Sequence, residues 1–193
     1  MEIGRIVKSN SHVDYVAQVY GPGETAAPPQ ADDYGFGQFM LIHAEPGRAL
    51  VAAVYDTQLL NPEFGRLGPR LSSPQDTAVF APDYLCEQAV LVGLVVLGQR
   101  MDGVFEQGIP RASAGVNAPV QKMLNEEFIG FHRYSETPAL HYARILQAQG
   151  KPLLFELLEQ IAGRLELAFP EKSTALRTLR ANLMWQSRVQ VNR

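Results

Sequence analysis

EQAVLVGLVVLGQRMDGVFEQGIPR, which spans Glu87–Arg111, is the segment that best predicts the architecture of this chain. Within it, Ala89–Leu97 is apolar almost without a break and rich in valine and leucine. Such a run is too short to cross a bilayer, which needs about 20 apolar residues, and turn signals bound it. We therefore predict a strand whose two faces are both buried.

Two glycines and a turn dipeptide predict where this strand bends and where it ends. Gly93 and Gly98 interrupt the apolar run where a strand can bend sharply or let another backbone approach closely. Asp102-Gly103 supplies the two positive φ angles that a two-residue type I′ turn requires, so a tight hairpin sets Met101 opposite Val104. A long, bent strand that closes into a hairpin is typical of a small β-barrel.

The composition restricts the class of protein. The chain has 193 residues, of which 46% are apolar, so it can form one ordinary domain or two small ones with a buried core. Its net charge of −3 provides no general attraction for nucleic acid or for an acidic membrane. Cys86 is the single cysteine, and the N-terminal residues lack the long apolar run of a signal peptide. We therefore expect a cytoplasmic protein without internal disulfides.

Alternating and apolar patterns predict further strands before the central hairpin. They are expected at Ile3–Lys8, Val13–Tyr20, Phe36–Ala44 and Arg48–Thr57. Leu50–Val54 is apolar on both faces, as in a strand enclosed between a barrel and a covering element. The next segment, Leu59–Gln75, is predicted to be a long ordered loop, and loops of this length are commonly binding elements.

After residue 115 the pattern becomes helical. Apolar residues recur at helical spacing, and helices are predicted at Val120–Arg133, Pro138–Gln149, Pro152–Leu167 and Pro170–Val191. The predicted fold class is therefore α+β. A small closed β-barrel of about six strands is expected in residues 1–115, followed by a helical domain of three to four helices in residues 116–193.

Several features of the predicted barrel resemble one known family. They are the opening strand Ile3–Val7, the strands Phe39–Ile42 and Ala49–Thr57, the hairpin Val90–Gln107 and the proline-rich exit Ile109–Pro119. Together they resemble the HAS-barrel family, the N-terminal barrel shared by HerA-type DNA-translocating ATPases and rotary ATP synthase subunits. The resemblance covers roughly the first 120 residues and implies a barrel that supports ring assembly and docks partner proteins.

The sequence departs from that family after the barrel. HerA-type proteins continue into a P-loop ATPase domain, whereas this chain contains no GxxxxGK[ST] motif. Without that loop there is no backbone cradle for phosphates and no hydroxyl ligand for Mg²⁺. We therefore expect no ATP hydrolysis and no cofactor. By analogy with the family, the chain is predicted to be a non-enzymatic, HerA-like assembly or adaptor module of a DNA-processing or ATPase system.

Two classes of partner follow from the strand pattern. The outer strand positions are apolar, although a closed barrel needs only one face for its own core. We therefore expect self-association or the docking of a protein partner, and no membrane binding. Nucleic acid is the alternative partner, because OB-like barrels use aromatic platforms and basic loops. The residues that would supply them are Tyr15, Tyr20, Phe36, Phe39 and Tyr55, with Arg66 and Arg70.

No set of residues specifies a catalytic or metal site. His132 and His141 lie nine positions apart across a predicted helix break, so they share no metal-binding helix face. Glu126 and Glu127 are the local candidates for a third ligand. Histidines near helix ends that bond to carbonyl groups or water are the better interpretation. Cys86 has no adjacent histidine or basic residue and is expected to be a buried structural thiol.

The last predicted helix carries the most distinctive polar pattern. Arg177, Arg180 and Arg188 fall within one arc of the helix, and Trp185 lies beside them. An ordinary surface helix explains this pattern, because the helix dipole favours cations near the C-terminal end. The alternative is a basic face that binds nucleic acid or an acidic partner, with Trp185 as an anchor.

Charge reversal tests the basic-face hypothesis. Replacing Arg177, Arg180 and Arg188 together by Glu is expected to abolish a salt-sensitive complex, because the attraction between these cations and an anionic partner is lost. Filter binding of labelled single-stranded nucleic acid at low and high salt measures the effect. Unchanged binding would refute a basic binding face.

Overall fold

A computed structural model of the chain describes residues 1–61, 88–134, 137–149 and 153–191, and it describes side chains only as far as residue 184. Every structural statement below refers to these residues. Most of the predicted loop Leu59–Gln75 lies outside them, and so does Cys86.

Seven strands of the described chain form one antiparallel sheet. They are β1 (Glu2–Ser11), β2 (Asp14–Val19), β3 (Phe39–Glu45), β4 (Arg48–Leu60), β5 (Ala89–Met101), β6 (Val104–Gln107) and β7 (Pro119–Lys122). Six of them close into a barrel in the order β1, β7, β3, β4, β5 and β2, because β2 pairs with both β5 and β1. The predicted closed β-barrel is confirmed.

The barrel closes at β5. Residues 91–95 of this strand pair with β2, and residues 98–101 pair with β6 on the same edge. The opposite edge of β5 pairs with β4 along nearly its whole length. One long strand therefore belongs both to the barrel wall and to the hairpin that leaves it.

The predicted hairpin is confirmed. Met101 lies opposite Val104. Asp102 and Gly103 have φ angles of 50° and 84°. Two successive positive φ angles are those of a type I′ turn, whose twist matches that of the strands it joins.

Four α-helices follow in the described chain. They are α1 (Asn125–His132), α2 (Ala143–Ala148), α3 (Leu153–Ala168) and α4 (Ser173–Val191). A 3₁₀ turn, Pro170–Lys172, precedes α4, and the short strands β8 (Arg133–Tyr134) and β9 (Thr137–Pro138) pair with each other. The prediction of three to four helices after the barrel is confirmed. None of the helices, over the residues described, is long and apolar enough to cross a membrane.

The start of the first predicted helix is wrong. Val120 lies in β7, which pairs with β1 on one edge and with β3 on the other and so completes the barrel wall. Its side chain is fully buried in the barrel interior. Ladder pairing and this burial outweigh a helical pattern in the sequence. The barrel wall thus extends to Lys122, beyond the boundary predicted at residue 115.

β5 is buried on both faces, as its sequence predicts. Val92, Leu94 and Val96 belong to the core inside the barrel. Val95 and Leu97 alternate with them and belong to a second core, which the helices share. The same alternation runs through β3 and β4, so three adjacent strands lie between two apolar layers.

The helices cover the outer face of these three strands. Phe128 of α1 contacts Phe39 of β3 edge-on, with ring centroids 4.9 Å apart. α3 contributes an apolar stripe to the same core: Leu154, Leu157, Leu158, Ile161, Ala162 and Leu165. The apolar outer positions of β3, β4 and β5, on which the expectation of self-association rests, therefore pack against the chain's own helices.

Gly98→Ala is expected to destabilise the protein. A Cβ at this position would lie against the carbonyl oxygen of Glu106 and 2.7 Å from Cε2 of Phe131, so the backbone or the ring must shift. This is the close approach that the sequence predicts at Gly98. Forcing extra atoms into a packed core costs about 1–3 kcal/mol. We expect the free energy of unfolding in urea to fall by at least that amount.

Gly115→Ala is the matched control, because a Cβ there meets nothing within 4 Å. Its free energy of unfolding is expected to stay within about 0.5 kcal/mol of the wild-type value. Equal stability of the Gly98→Ala variant and this control would contradict the close approach at Gly98.

Candidate functional site

The basic face predicted on the last helix meets acidic residues of α3. Arg177 Nε lies 2.8 Å from Glu166 Oε1, and Arg180 Nη2 lies 3.4 Å from Glu159 Oε1. The two arginine side chains stay 67% and 44% exposed, and exposed pairs of this kind contribute about 1 kcal/mol or less each. Both arginines thus help to hold α4 on α3, as they would in an ordinary surface helix.

The other residues predicted to contact a partner lie outside the part of the chain that the structure describes. Arg66 and Arg70 fall between the described ranges, and the side chains of Trp185 and Arg188 come after residue 184. Their roles in binding a partner stay predictions.

The five aromatic residues predicted as stacking platforms do not form one surface. Tyr15, Phe39 and Tyr55 are only 2%, 0% and 7% exposed, so they are not available to stack on a base. Tyr20 and Phe36 are partly exposed but line different grooves. The prediction that Tyr15, Phe39 and Tyr55 supply stacking faces is therefore wrong, because side chains alternate along the strands and these three point into one of the two cores.

A buried histidine–tyrosine pair joins α1 to the start of α2. His132 Nδ1 lies 2.8 Å from the carbonyl oxygen of Phe128, and Nε2 lies 2.6 Å from the hydroxyl oxygen of Tyr142. Because a carbonyl only accepts, Nδ1 carries the hydrogen and Nε2 accepts the hydroxyl hydrogen of Tyr142. Burial lowers the pKa of His132 to about 4 and raises the pKa of Tyr142 well above its ordinary value.

This pair stabilises the helical layer and lies apart from any described groove. The carbonyl bond of His132 confirms the interpretation of a histidine at a helix end. Tyr142 was not foreseen, since its contact depends on how α2 packs against α1. His141 does not join the pair; it is exposed and contacts the ring of Tyr134 edge-on.

One of the two acidic candidates for a metal site, Glu127, makes other contacts, and the other, Glu126, is exposed. Glu127 Oε1 lies 2.5 Å from Arg100 Nη1 of β5, and its other oxygen accepts the backbone N–H of Leu124 at 2.9 Å. These contacts fix the start of α1 on the barrel. In the part of the chain that the structure describes, no group of three or more His, Cys, Asp or Glu side chains is placed to hold a metal ion.

An apolar groove, here called the barrel-end groove, opens at one end of the barrel. Its volume is about 520 Å³, and the described residues that line it carry no charge. Its apolar and aromatic lining consists of Val19, Tyr20, Pro22, Pro28, Pro29, Tyr34, Leu59, Leu60, Ala89 and Val90. Leu59 and Leu60 are 76% and 51% exposed although they are apolar.

One side of the barrel-end groove is a two-stranded ribbon. Leu59 pairs with Val90, and Leu60 pairs with Ala89. These pairs lie beyond the last pairs that β4 makes with β3 and that β5 makes with β2. The ribbon therefore extends past the described barrel wall and presents its leucines at the groove.

The other sides of the groove are held in place by polar contacts. The Tyr20 hydroxyl donates to Glu2 Oε1 at 2.6 Å and accepts from Arg5 Nε at 2.7 Å. Lys122 Nζ donates to Asp33 Oδ1 at 2.9 Å and thereby anchors the segment that carries the groove prolines and Tyr34. This hydrogen bond lowers the pKa of the Asp33 carboxyl. The tyrosine and proline walls are thus preformed.

Comparison with known families places the whole chain in one group. The family model described as "Domain of unknown function (DUF8166)" matches residues 1–192, so the barrel and the helical region fall within a single match. No curated protein matches the chain.

The His132–Tyr142 pair predicts acid sensitivity. The folded pKa of His132 is about 4, against an ordinary value of 6.5. The unfolded chain therefore binds a proton more readily as pH falls below about 6.5, and stability declines until about pH 4. This group is expected to remove about 3 kcal/mol of unfolding free energy across that window and nothing above it. Urea denaturation at successive pH values measures the slope.

His132→Gln is expected to flatten this slope, because glutamine does not titrate. His141→Gln, which replaces an exposed histidine, serves as the control and is expected to keep the wild-type slope. A His132→Gln variant that loses stability between pH 6.5 and pH 4 as steeply as the wild type would contradict the buried neutral histidine.

Proposed function

We propose that this chain, which belongs to the DUF8166 family, is a non-enzymatic adaptor module that docks an extended apolar segment of a partner protein in the barrel-end groove. The observation that supports this function is a groove whose described lining carries no charge, beside two exposed leucines, Leu59 and Leu60. Monomers rarely leave contiguous apolar surface open to water unless it binds something.

The energetics favour a protein segment as the occupant. Fully burying a leucine side chain stabilises a complex by about 1.5–3 kcal/mol. Leu59 is 76% exposed and Leu60 is 51% exposed, so a partner can still bury much of both side chains. The described lining has no cation that would attract phosphate groups. An apolar peptide is therefore a better match for this groove than a nucleic acid.

The shape of the groove favours an extended segment. A β-ribbon borders one side, and Tyr20, Tyr34 and three prolines, Pro22, Pro28 and Pro29, supply rigid surfaces on the others. Aromatic-lined grooves of this kind bind extended, often proline-rich segments, because such segments lose little entropy on binding. Preformed walls likewise reduce the entropy that the adaptor loses.

The resemblance to the HAS-barrel family supports the same role. That family's barrels dock partner proteins, and this chain has no P-loop that would make it an ATPase. We accordingly place the adaptor in the cytoplasm, with a partner from a DNA-processing or ATPase system. The alternative of a nucleic-acid-binding barrel has less support, because three of its stacking residues are buried and Arg177 and Arg180 pair with glutamates.

Peptide selection tests the adaptor function. The immobilised protein is used to select from a displayed library of random peptides, and affinities of the selected peptides are measured by fluorescence anisotropy. We expect apolar or proline-containing peptides to be enriched. Leu60→Asp is expected to weaken their binding at least tenfold, because it places a charge in a groove whose described lining has none.

Val104→Asp is the matched control, since Val104 is a 65% exposed strand residue that does not line the groove. It is expected to leave peptide binding unchanged. Equal binding to the Leu60→Asp variant, or no enrichment at all, would contradict the proposal. Light scattering tests whether the occupant of the groove is instead a second copy of this chain. If the wild type is a dimer and Leu60→Asp is a monomer, the groove is a dimer interface and the proposal is overturned.

A further inference from the structure

A second groove, here called the helix groove, lies between the helices and the segment before β3. Phe36 and Gln38 line it from the barrel side, Gln160 and Arg164 line it from α3, and Arg180 lines it from α4. Its volume is about 700 Å³. Small-molecule sites have volumes of about 300–1,000 Å³, so the helix groove has room for an organic ligand.

Arg164 is a cation in this groove without a carboxylate partner among the described residues. None of the ion pairs that those residues form includes it. Its Cζ lies 3.8 Å from the ring centroid of Phe128, and Nη2 donates to Asn125 Oδ1 at 3.4 Å. Arg164 is half-buried, and burial lowers the pKa of its guanidinium. A charge that has left water without a counter-ion has this property.

The remaining charges of the helix groove are already paired. Arg180 lies 3.4 Å from Glu159, and Glu166 lies 2.8 Å from Arg177. The described lining contains two arginines, Arg164 and Arg180, and two glutamates, Glu159 and Glu166, while Arg177, which pairs with Glu166, lies outside it. Arg164 is therefore the one charged side chain of that described lining without a partner of opposite charge.

The geometry points to the helix groove as a binding site for a small organic anion, a carboxylate or a phosphate monoester, whose charged group pairs with Arg164. A guanidinium is a planar fork of N–H donors that matches both kinds of anion. Stacking on Phe128 holds this fork in one orientation. Partial burial strengthens its attraction for an anion, because less water screens the pair.

The rest of the helix groove suits an apolar or aromatic body on that anion. Phe36 lines the groove and remains 37% exposed. The amides of Gln38 and Gln160 provide hydrogen-bonding groups beside it. This site is separate from the barrel-end groove and does not depend on the adaptor function.

Titration with three ring compounds tests the proposal. The probes are benzoate, phenyl phosphate and benzamidine, which share an aromatic ring and differ in charge. NMR of the wild-type protein, observed at the Nε–Hε group of Arg164, is expected to show saturable shifts with benzoate or phenyl phosphate and none with benzamidine. The tighter of the two anions identifies the ligand class. Arg164→Gln is expected to weaken its binding about tenfold or more.

Arg144→Gln is the matched control, because Arg144 is an exposed helical arginine outside the groove. It is expected to bind the anion as the wild type does. Circular dichroism checks that each variant is folded. If Arg164→Gln does not fold, the NMR titration of the wild type still tests the proposal. No saturable shift, an equal shift with benzamidine, or undiminished binding by folded Arg164→Gln would overturn the proposal.

Discussion

The burial of β5 on both faces is the constraint on which the rest of this structure depends. Val92, Leu94 and Val96 fill the barrel, while Val95 and Leu97 face the helices, so the strand needs a partner layer on each side. Barrel closure through β2 satisfies one requirement, and the packing of α1 and α3 satisfies the other. Both the closed barrel and the helical layer are therefore required to bury β5.

This arrangement decides which surfaces remain for recognition. A bare barrel would offer the apolar outer face of β3, β4 and β5, but here the helices occupy it. Among the described residues, two accessible surfaces are one end of the barrel, where the Leu59–Leu60 ribbon extends beyond its neighbours, and the seam where α3 and α4 meet the segment before β3. The first surface is largely apolar, and the second carries a guanidinium, that of Arg164, with no carboxylate partner among the described residues, so they differ in the chemistry they offer a ligand.

The parts of the fold that local chemistry dictates were predictable from sequence. The φ > 0 turn at Asp102 and Gly103, the double burial of β5 and the close approach at Gly98 each follow from residues adjacent in the chain. The parts that depend on distant residues were not. Val120 lies in a strand because β7 pairs with β1 on one edge and with β3 on the other. Three features become apparent only once separate elements meet: the barrel-end groove, the lack of a carboxylate partner for Arg164 among the described residues, and the glutamates that pair with the predicted basic face.

The position of β7 has a consequence for how the chain is made. β7 is the strand that joins β1 to β3, and it is the last strand of the barrel to be synthesised. Until Lys122 has left the ribosome, the nascent sheet keeps two open edges, which are templates for pairing with other chains. Its outer face also stays uncovered until α3 emerges. The growing polypeptide therefore exposes unpaired strand edges and apolar surface through most of its translation.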